Sequence, residues 1–200
     1  PDRGQPIILC SKGMEQGSAR LMNEVVEAAD WSGAVAVLSG PTFAHEVGAG
    51  LPAAVTLAAA DRATAQRLAN LLSRKALRPY VSDDVIGAEI GGAVKNVLAI
   101  ACGVVEGAGL GQNARAALIS RGFAEMTRYG LARGARLETL AGLAGLGDLV
   151  LTCSSSSSRN FSLGHALGQG AAAASVMANR RTVAEGALSA AILVEDAARR

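Results

Sequence analysis

The first 84 residues alternate between short apolar runs and longer segments in which apolar residues recur at helical spacing. The apolar runs predict strands at residues 6–10, 34–38, 53–59 and 77–82, and the spaced segments predict helices at residues 18–29 and 62–73. Strands that are apolar throughout are typical of sheets covered by helices on both faces. We therefore predict an α/β layered domain at residues 1–84.

The pattern changes after Asp83 and Asp84 to helix following helix, rich in alanine and glycine, with no strand alternation before Arg200. The predicted helices lie at residues 85–103, 114–129, 139–143, 161–167, 171–178 and 187–198. The predicted fold class is thus α/β followed by all-α, with a boundary after residue 84 and an all-helical domain at residues 85–200.

Lys95 is unusual within this pattern, because the only other charged residue between residues 86 and 105 is Glu89. The chain has only three lysines, Lys12, Lys75 and Lys95, among 19 basic residues, so solubility does not explain its position. Burial can lower the pKa of a lysine towards neutrality, which makes Lys95 a candidate general base.

The face of the helix that carries Lys95 consists of small residues. They are Gly91, Gly92, Ala99, Cys102 and Gly103. Such a face lets another group approach closely. That group is either a partner helix, with Lys95 in a structural ion pair, or a ligand, with Lys95 directed into a cleft, and the residue pattern alone leaves both open.

Two later segments carry further candidate chemistry. Asp148 lies in an apolar, glycine-flanked segment that is interpreted as a turn, where an unpaired charge is costly, so it needs a cation or several donors. Residues 158–160, Ser-Arg-Asn, offer a guanidinium and two neutral hydrogen-bonding groups that suit a phosphate. An ordinary loop with a surface arginine is the simpler interpretation of that segment by itself.

Lys12 and Thr42 follow two strands that are expected to lie side by side in a parallel sheet. Ligands of open α/β sheets bind beyond the carboxyl ends of the strands, so the two residues are candidate ligand contacts, although ordinary loop positions explain them equally well. No Gly-x-Gly-x-x-Gly turn follows any predicted strand, so this chain lacks the usual dinucleotide-binding signature.

Composition narrows the function classes. The net charge of +2 is spread without a basic run and aromatic residues are only 3%, which argues against a nucleic-acid partner. Cys10, Cys102 and Cys153 are odd in number and widely spaced, as in reduced intracellular thiols, and no metal-ligand spacing is present. His45 and His165 are interpreted as surface or packing residues. We expect no signal peptide, no apolar run of the roughly 18 residues needed for a membrane span, and a cytoplasmic protein.

Five motifs, taken in order, resemble the bacterial NAD(P)-dependent glycerol-3-phosphate dehydrogenases. They are Ser-Lys-Gly-Met-Glu at residues 11–15, Leu-Ser-Gly-Pro-Thr-Phe-Ala at 38–44, Gly-Ala-Val-Lys-Asn-Val at 92–97, Gly-Leu-Gly-Asp-Leu-Val-Leu-Thr-Cys at 145–153 and Ser-Arg-Asn at 158–160. The resemblance runs from about residue 7 to at least Glu185. On this interpretation the chain begins partway through the family's cofactor domain and ends before the family's last helices.

The resemblance implies the later part of a Rossmann-like parallel-sheet domain followed by a helical substrate domain, with the active site between them. It implies an oxidoreductase that interconverts sn-glycerol 3-phosphate and dihydroxyacetone phosphate by hydride transfer with NAD or NADP, and that supplies glycerol 3-phosphate for phospholipid synthesis. Lys95 would be the proton acceptor, and Asp148 would hold Lys95 and the substrate hydroxyls.

The resemblance also implies the remaining binding residues. The substrate contacts would be Lys12, Gly40, Thr42, Lys95, Asp148, Ser158, Arg159 and Asn160. The cofactor contacts would be Lys12, Ala44, Arg159, Val183 and Glu185. The chain alone is expected to bind NAD(P)H weakly, because the pyrophosphate-binding turn would precede Pro1, and its activity in isolation stays open. The choice between NAD and NADP stays open, because the residue that reads the ribose 2′ position would also lie upstream of Pro1.

Two alternatives remain. Residues 85–200 could form a helical dimerisation or binding module in which Lys95 and Asp148 make a structural ion pair, and a homodimer is in any case an open possibility. The chain could also belong to a related two-domain reductase of the ketopantoate or hydroxyacid type, which would not need a phosphate clamp. Convergence of Lys12, Lys95, Asp148 and Arg159 on one cleft distinguishes an enzyme from a binding module.

Overall fold

The computed structural model describes residues 4–178 and 185–199, apart from the side chains of residues 177, 178 and 185. The strands are β1 (Ile7–Leu9), β2 (Val35–Ser39), β3 (Ala53–Ala59) and β4 (Leu77–Ser82). The helices of the α/β part are α1 (Met22–Ala28), α2 (Ala44–Gly48) and α3 (Arg62–Leu72). The later helices are α4 (Val85–Gly107), α5 (Gly111–Ala132), α6 (Leu137–Leu140), α7 (Asp148–Cys153), α8 (Arg159–Gly168), α9 (Ala173–Ala178) and α10 (Glu185–Ala198), with a π-helical turn at Leu143–Gly147.

The four strands form one sheet in the order β1-β2-β3-β4. β1 pairs with β2 and β3 pairs with β4 in parallel, so the predicted parallel character holds for these two pairs. β2 and β3 are antiparallel, which the sequence pattern did not indicate. The connection at residues 40–52 contains only the five-residue helix α2, which rises about 7 Å, whereas a helix that returns along β2 for a parallel pairing has to cover about 17 Å.

Helix α4 is the core of the helical part. The side chain of Asp84 caps its first turn by accepting a hydrogen bond from the Gly87 amide at 2.8 Å. Helices α5, α7, α8 and α10 pack around α4, and its first half also contacts β2. Packing against α8 is close because a Cβ at Gly103 or at Gly164 would overlap a backbone carbonyl of the opposite helix. This helical arrangement after the sheet confirms the predicted fold class.

Helix α4 is longer than predicted, and within the described part of the chain it is the one helix long and apolar enough to cross a membrane. The expectation that no segment is long enough for a membrane span rested on uninterrupted apolar runs alone. It is corrected, because α4 reaches that length with a few polar residues included. The most apolar window of α4 is 61% buried inside the molecule. Core helices of globular domains pass the same test of length and composition, so this burial indicates a core helix.

The short helix α2 was not predicted, and neither were two short elements around Asp148. Asp148 is the first residue of α7, and residues 143–147 before it form the π-helical turn, so the interpretation of this segment as a simple turn is wrong. Its glycines have low helix propensity, which hid the helix from a sequence reading. The segment is helical because it packs against α4, where a Cβ at Gly91 would overlap the carbonyl of Ala144.

Glu89 of α4 is a buried carboxyl group that joins the two parts of the chain. One of its oxygens accepts a hydrogen bond from the backbone amide of Asn23, in the first turn of α1, at 3.0 Å. Its other oxygen, Oε2, and the side-chain oxygen of Asn23 have no hydrogen-bond partner among the described residues. Burial raises the pKa of Glu89 to about 7, and the nearby carboxylates of Glu24 and Glu27 raise it further against the amide hydrogen bonds.

We expect Glu89→Gln to stabilise the protein increasingly as pH rises. Because the pKa of Glu89 is higher in the folded chain than its ordinary value of 4.5, its favourable contribution is complete below about pH 4.5 and is lost as pH rises through about 7. A neutral amide avoids this loss, so the gain should be near zero at pH 4 and about 1–3 kcal/mol at pH 8. Urea unfolding at both pH values measures the difference in the free energy of unfolding between the variant and the unmodified protein. Glu195→Gln, on the exposed face of α10, is the control, and an equal gain at both pH values would contradict the assignment.

Candidate active site

The carboxylate of Asp148 holds two ammonium groups. Its Oδ2 lies 2.6 Å from Nζ of Lys12, and its Oδ1 lies 2.6 Å from Nζ of Lys95. Asp148 is fully buried at the start of α7, Lys12 follows β1, and Lys95 lies in the middle of α4. The charges of Lys95 and Asp148, which have no evident partner in the sequence, are therefore paired with each other, and Lys12 is the second partner of Asp148.

Lys95 has two acceptors in this cluster. Its ammonium donates to Oδ1 of Asp148 and, at 3.0 Å, to the hydroxyl of Thr152. That hydroxyl donates in turn to the backbone carbonyl of Asp148 at 2.6 Å, one helical turn earlier in α7. Burial lowers the pKa of Lys95 to about 8, because the loss of hydration and the neighbouring Lys12 ammonium outweigh the attraction of Asp148.

Lys12 reaches Asp148 across the surface of α4. Its methylene groups pack on Gly92, where an added Cβ would lie 3.0 Å from Cγ of Lys12. A side chain at Gly92 would therefore displace the lysine. The small-residue face of α4 admits a packed segment of this chain at Gly91 and the side chain of Lys12 at Gly92. The ion pair of Lys95 is observed, whereas a ligand that Lys95 contacts stays a prediction.

A cleft of about 1010 Å³ adjoins the cluster. It lies beyond the carboxyl ends of β1 and β2, which are parallel neighbours as predicted from Lys12 and Thr42. The predicted site residues that line it are Lys12, Gly40, Thr42, Ala44, Lys95, Ser158, Arg159 and Asn160. Asp148 is not part of the cleft wall and lies behind the two lysines. The side chains that were expected to converge in an enzyme therefore lie at or directly behind one cleft.

The segment at residues 158–160 forms the start of α8 at the wall of this cleft. Ser158 is the N-cap, and its hydroxyl accepts a hydrogen bond from the Phe161 amide at 3.2 Å. Arg159 is the first helical residue, and Oδ1 of Asn160 accepts from the Gly186 amide of α10 at 3.0 Å. A helix N-terminus beside an arginine favours an anion, because the free amide groups and the guanidinium are both positive.

Two predicted cofactor residues stay untested by this geometry. Val183 lies outside the described residues, and so does the side chain of Glu185. The backbone of Glu185 begins α10, and its neighbour Gly186 contacts Asn160 at the cleft. The assignment of every predicted residue to a substrate or a cofactor likewise stays a prediction, as does the domain boundary after residue 84.

Sequence reasoning missed several groups at the site. Thr152 and Asn96 were quoted within motifs but given no role, and both line the cleft. Thr152 lies four residues after Asp148, so the correct assignment of α7 would have placed the two on one helical face. His45 was interpreted as a surface or packing residue; it is exposed, lines the cleft and stacks on Phe43 with ring centroids 5.8 Å apart.

Comparison with known families gives a consistent match over most of the chain. Residues 84–200 match the C-terminal domain described as NAD-dependent glycerol-3-phosphate dehydrogenase C-terminus, and residues 1–65 match the corresponding N-terminus. The chain belongs to the NAD-dependent glycerol-3-phosphate dehydrogenase family. The resemblance carried by the five motifs is thereby confirmed.

Curated relatives carry the same family name. The glycerol-3-phosphate dehydrogenase [NAD(P)+] of Erythrobacter litoralis is 67% identical over 195 residues, which is 98% of this chain and 59% of that protein. The enzyme of Sphingopyxis alaskensis is also 67% identical, over 96% of this chain and 58% of its own length. The chain thus spans about three-fifths of the relatives that it matches.

Solved structures of the family share the fold. The glycerol-3-phosphate dehydrogenase of Coxiella burnetii has a TM-score of 0.90 and 44% identity, and the match covers 97% of this chain and 59% of that one. The enzyme named GPD1 from Saccharomyces cerevisiae has a TM-score of 0.83 and 29% identity, with 96% and 59% coverage. The order of an α/β part followed by helices is therefore that of the family.

We expect the ε-methylene NMR signals of the three lysines to include one, from Lys95, that titrates near pH 8. Lys95→Met should remove that signal and so assign it. Thr152→Val removes an acceptor of the charged form, so the pKa of Lys95 should fall further. Thr127→Val, which removes a hydroxyl bonded to the Phe123 carbonyl in α5, should leave the titration unchanged. A Lys95 signal that titrates near 10.5 would contradict the burial argument.

Proposed function

We propose that these residues form the catalytic part of an NAD(P)-dependent glycerol-3-phosphate dehydrogenase, an oxidoreductase that interconverts sn-glycerol 3-phosphate and dihydroxyacetone phosphate. The observation that carries the proposal is the cluster of Lys12, Asp148 and Lys95 beside a cleft that also contains Arg159. A structural ion pair needs one cation for each carboxylate, whereas this cluster has two.

The charge of the site favours a phosphorylated substrate. When both lysines are protonated, the cluster carries one net positive charge, and Arg159 and the start of α8 add to it across the cleft. A guanidinium and the amide groups of a helix N-terminus are suited to the oxygens of a phosphate. We assign the phosphate to Ser158, Arg159 and Asn160, and the hydroxyl-bearing carbons to the side of the cleft with Thr42 and the two lysines.

Lys95 is proposed as the proton acceptor. As the neutral amine it takes the proton of the C2 hydroxyl during oxidation, and as the ammonium it returns that proton to the C2 oxygen during reduction. A pKa of about 8 keeps both forms accessible near neutral pH, which suits a reversible reaction. Asp148 and Thr152 hold the nitrogen in place, and Asp148 stabilises the ammonium once it forms.

When bound, the oxidised cofactor would accept the hydride from C2 and the reduced cofactor would donate it. The described residues fit the nicotinamide end of such a cofactor, because Ala44 and Gly48 line the cleft with little or no side chain and a Cβ at Gly48 would meet open space. We assign Ala44, Lys12 and Arg159 to this end. We also retain Val183 and Glu185 as candidate contacts, and both NAD and NADP as cofactors.

We further propose a cytoplasmic enzyme that supplies glycerol 3-phosphate for phospholipid synthesis. Its three cysteines are all free, which fits a reducing compartment. A small-molecule substrate is the proposed partner, and a homodimer remains a proposal that sedimentation analysis would test.

Lys95→Met, made in the complete enzyme, should lower turnover about 10²–10⁴-fold while leaving the fold intact, because the reaction loses its positioned proton acceptor. In the unmodified enzyme, oxidation of glycerol 3-phosphate should quicken as pH rises through about 8, because that releases the proton from Lys95. Reduction of dihydroxyacetone phosphate should slow over the same range. Lys75→Met, at an exposed position, is the matched control. Near-normal turnover of Lys95→Met would refute the assignment.

Arg159→Met should lower kcat/KM for dihydroxyacetone phosphate about 10–100-fold, because a charge-assisted contact to the phosphate is lost. It should lower the slow reduction of unphosphorylated dihydroxyacetone much less, because that reaction loses only the proposed cofactor contact of Arg159. Arg62→Met, which alters a guanidinium in a separate groove, is the control. Equal losses with both substrates would argue against a phosphate clamp and in favour of a reductase for unphosphorylated acids.

A further inference from the structure

The segment between Lys12 and helix α1 has no regular secondary structure, yet parts of it are deeply buried. Met14 and Ala19 are 8% and 7% exposed, and Leu21 is fully buried. Ala19 has a φ of +57°, a left-handed conformation that a residue with a side chain adopts only when its surroundings hold it there. The segment at residues 13–21 therefore depends on contacts with other elements.

Arg133, at the C-terminal end of α5, supplies one set of these contacts. Its side chain is only 6% exposed. Nη1 donates to the carbonyl of Ala19 at 3.2 Å, and Nη2 donates to the carboxylate of Glu24 in α1 at 3.0 Å. Nη1 also lies 3.0 Å from Oδ2 of Asp196 in α10. One buried guanidinium thus joins α1, α5, α10 and the strained residue of the segment.

The same network reaches the other end of the segment. The hydroxyl of Tyr129, one turn before Arg133, donates to Oδ2 of Asp196 at 2.7 Å, and its oxygen lies 3.7 Å from the sulfur of Met14. Asp196 is therefore shared by Arg133 and Tyr129. The two side chains contact the segment near both of its ends, at Met14 and at Ala19.

Lys12 lies two residues before Met14 and must extend over Gly92 to reach Asp148. Four freely rotating methylene groups do not fix its position, so the backbone at residues 12–14 has to be held. We propose that Arg133 is a positioning residue for Lys12, which acts by fixing the segment at residues 13–21 against α5 and α10. Arg133 does not line the cleft and does not bond to Asp148, so it acts on the site indirectly, and its link to Lys12 is the segment at residues 13–21.

The first test does not use catalysis. The Lys12 ammonium lowers the pKa of Lys95, so withdrawal of Lys12 should raise it. In the complete enzyme, Arg133→Met should raise the NMR titration midpoint of Lys95 by at least half of the shift caused by Lys12→Met. Arg128→Met is the control, because Arg128 lies on the same helix with a side chain 60% exposed and pairs with Glu125 at the surface.

A purely stabilising role for Arg133 would lower the melting temperature without moving the Lys95 midpoint, and that result would overturn the proposal. If Arg133→Met does not fold, the same measurement can be made on Arg133→Lys. Lysine keeps the positive charge but can bond to only some of the three partners of Arg133. This variant should give an intermediate shift, and an unchanged midpoint would again overturn the proposal.

The second test uses activity and rests on the proposed function. In the otherwise unmodified enzyme, Arg133→Met should lower kcat/KM for dihydroxyacetone phosphate about tenfold. In an enzyme that already carries Lys12→Met, adding Arg133→Met should lower kcat/KM by less than about a further twofold, because the effects of residues that act through one group are not additive. Full additivity would overturn the proposal. If the enzyme reduces no phosphorylated ketone at all, the proposed function has failed, and the Lys95 titration still decides the role of Arg133.

Discussion

The buried carboxylate of Asp148 is the constraint on which the site depends. A charge with no exposed surface is strongly unfavourable unless it is paired and hydrogen-bonded. Its two cationic partners come from the loop after β1 and the middle of α4, and the hydroxyl of Thr152, in the following turn of α7, donates to the backbone carbonyl of the same residue. Removing any one partner leaves another group buried with an unmet charge or hydrogen bond, so the stability of the fold and the geometry of the cleft are linked.

Glycine makes this convergence physically possible. Gly91 lets the π-helical turn before Asp148 lie against α4, and Gly92 leaves room for the methylene groups of Lys12. Lys95 follows one turn later on the same helix and reaches Asp148 from the opposite side of the carboxylate. The small residues and the lysine of α4 are thus parts of one arrangement.

Local pattern was enough to predict β3, β4, α3 and the long α4, because each has an apolar run or a helical spacing of its own. It was not enough for α7 and the π-helical turn, whose glycines disfavour helix unless α4 packs against them, and so Thr152 was missed. The antiparallel pairing of β2 with β3 depends on the length of a connection rather than on either strand. The sequence identified Lys12, Lys95 and Asp148 as candidates, whereas the pairing of both lysines with one carboxylate required the three-dimensional fold.

The excess positive charge of the cluster connects its stability to its chemistry. Two ammonium groups share one carboxylate, so one positive charge remains that Asp148 does not neutralise. The protein can relieve it by releasing a proton, and this is the direction in which the pKa of Lys95 is shifted. A bound phosphate would instead balance the excess positive charge with its own negative charge, and this favours the protonated form of Lys95. A phosphorylated ligand should therefore stabilise the fold and raise the pKa of the proposed proton donor in the same step, as reduction of a ketone requires.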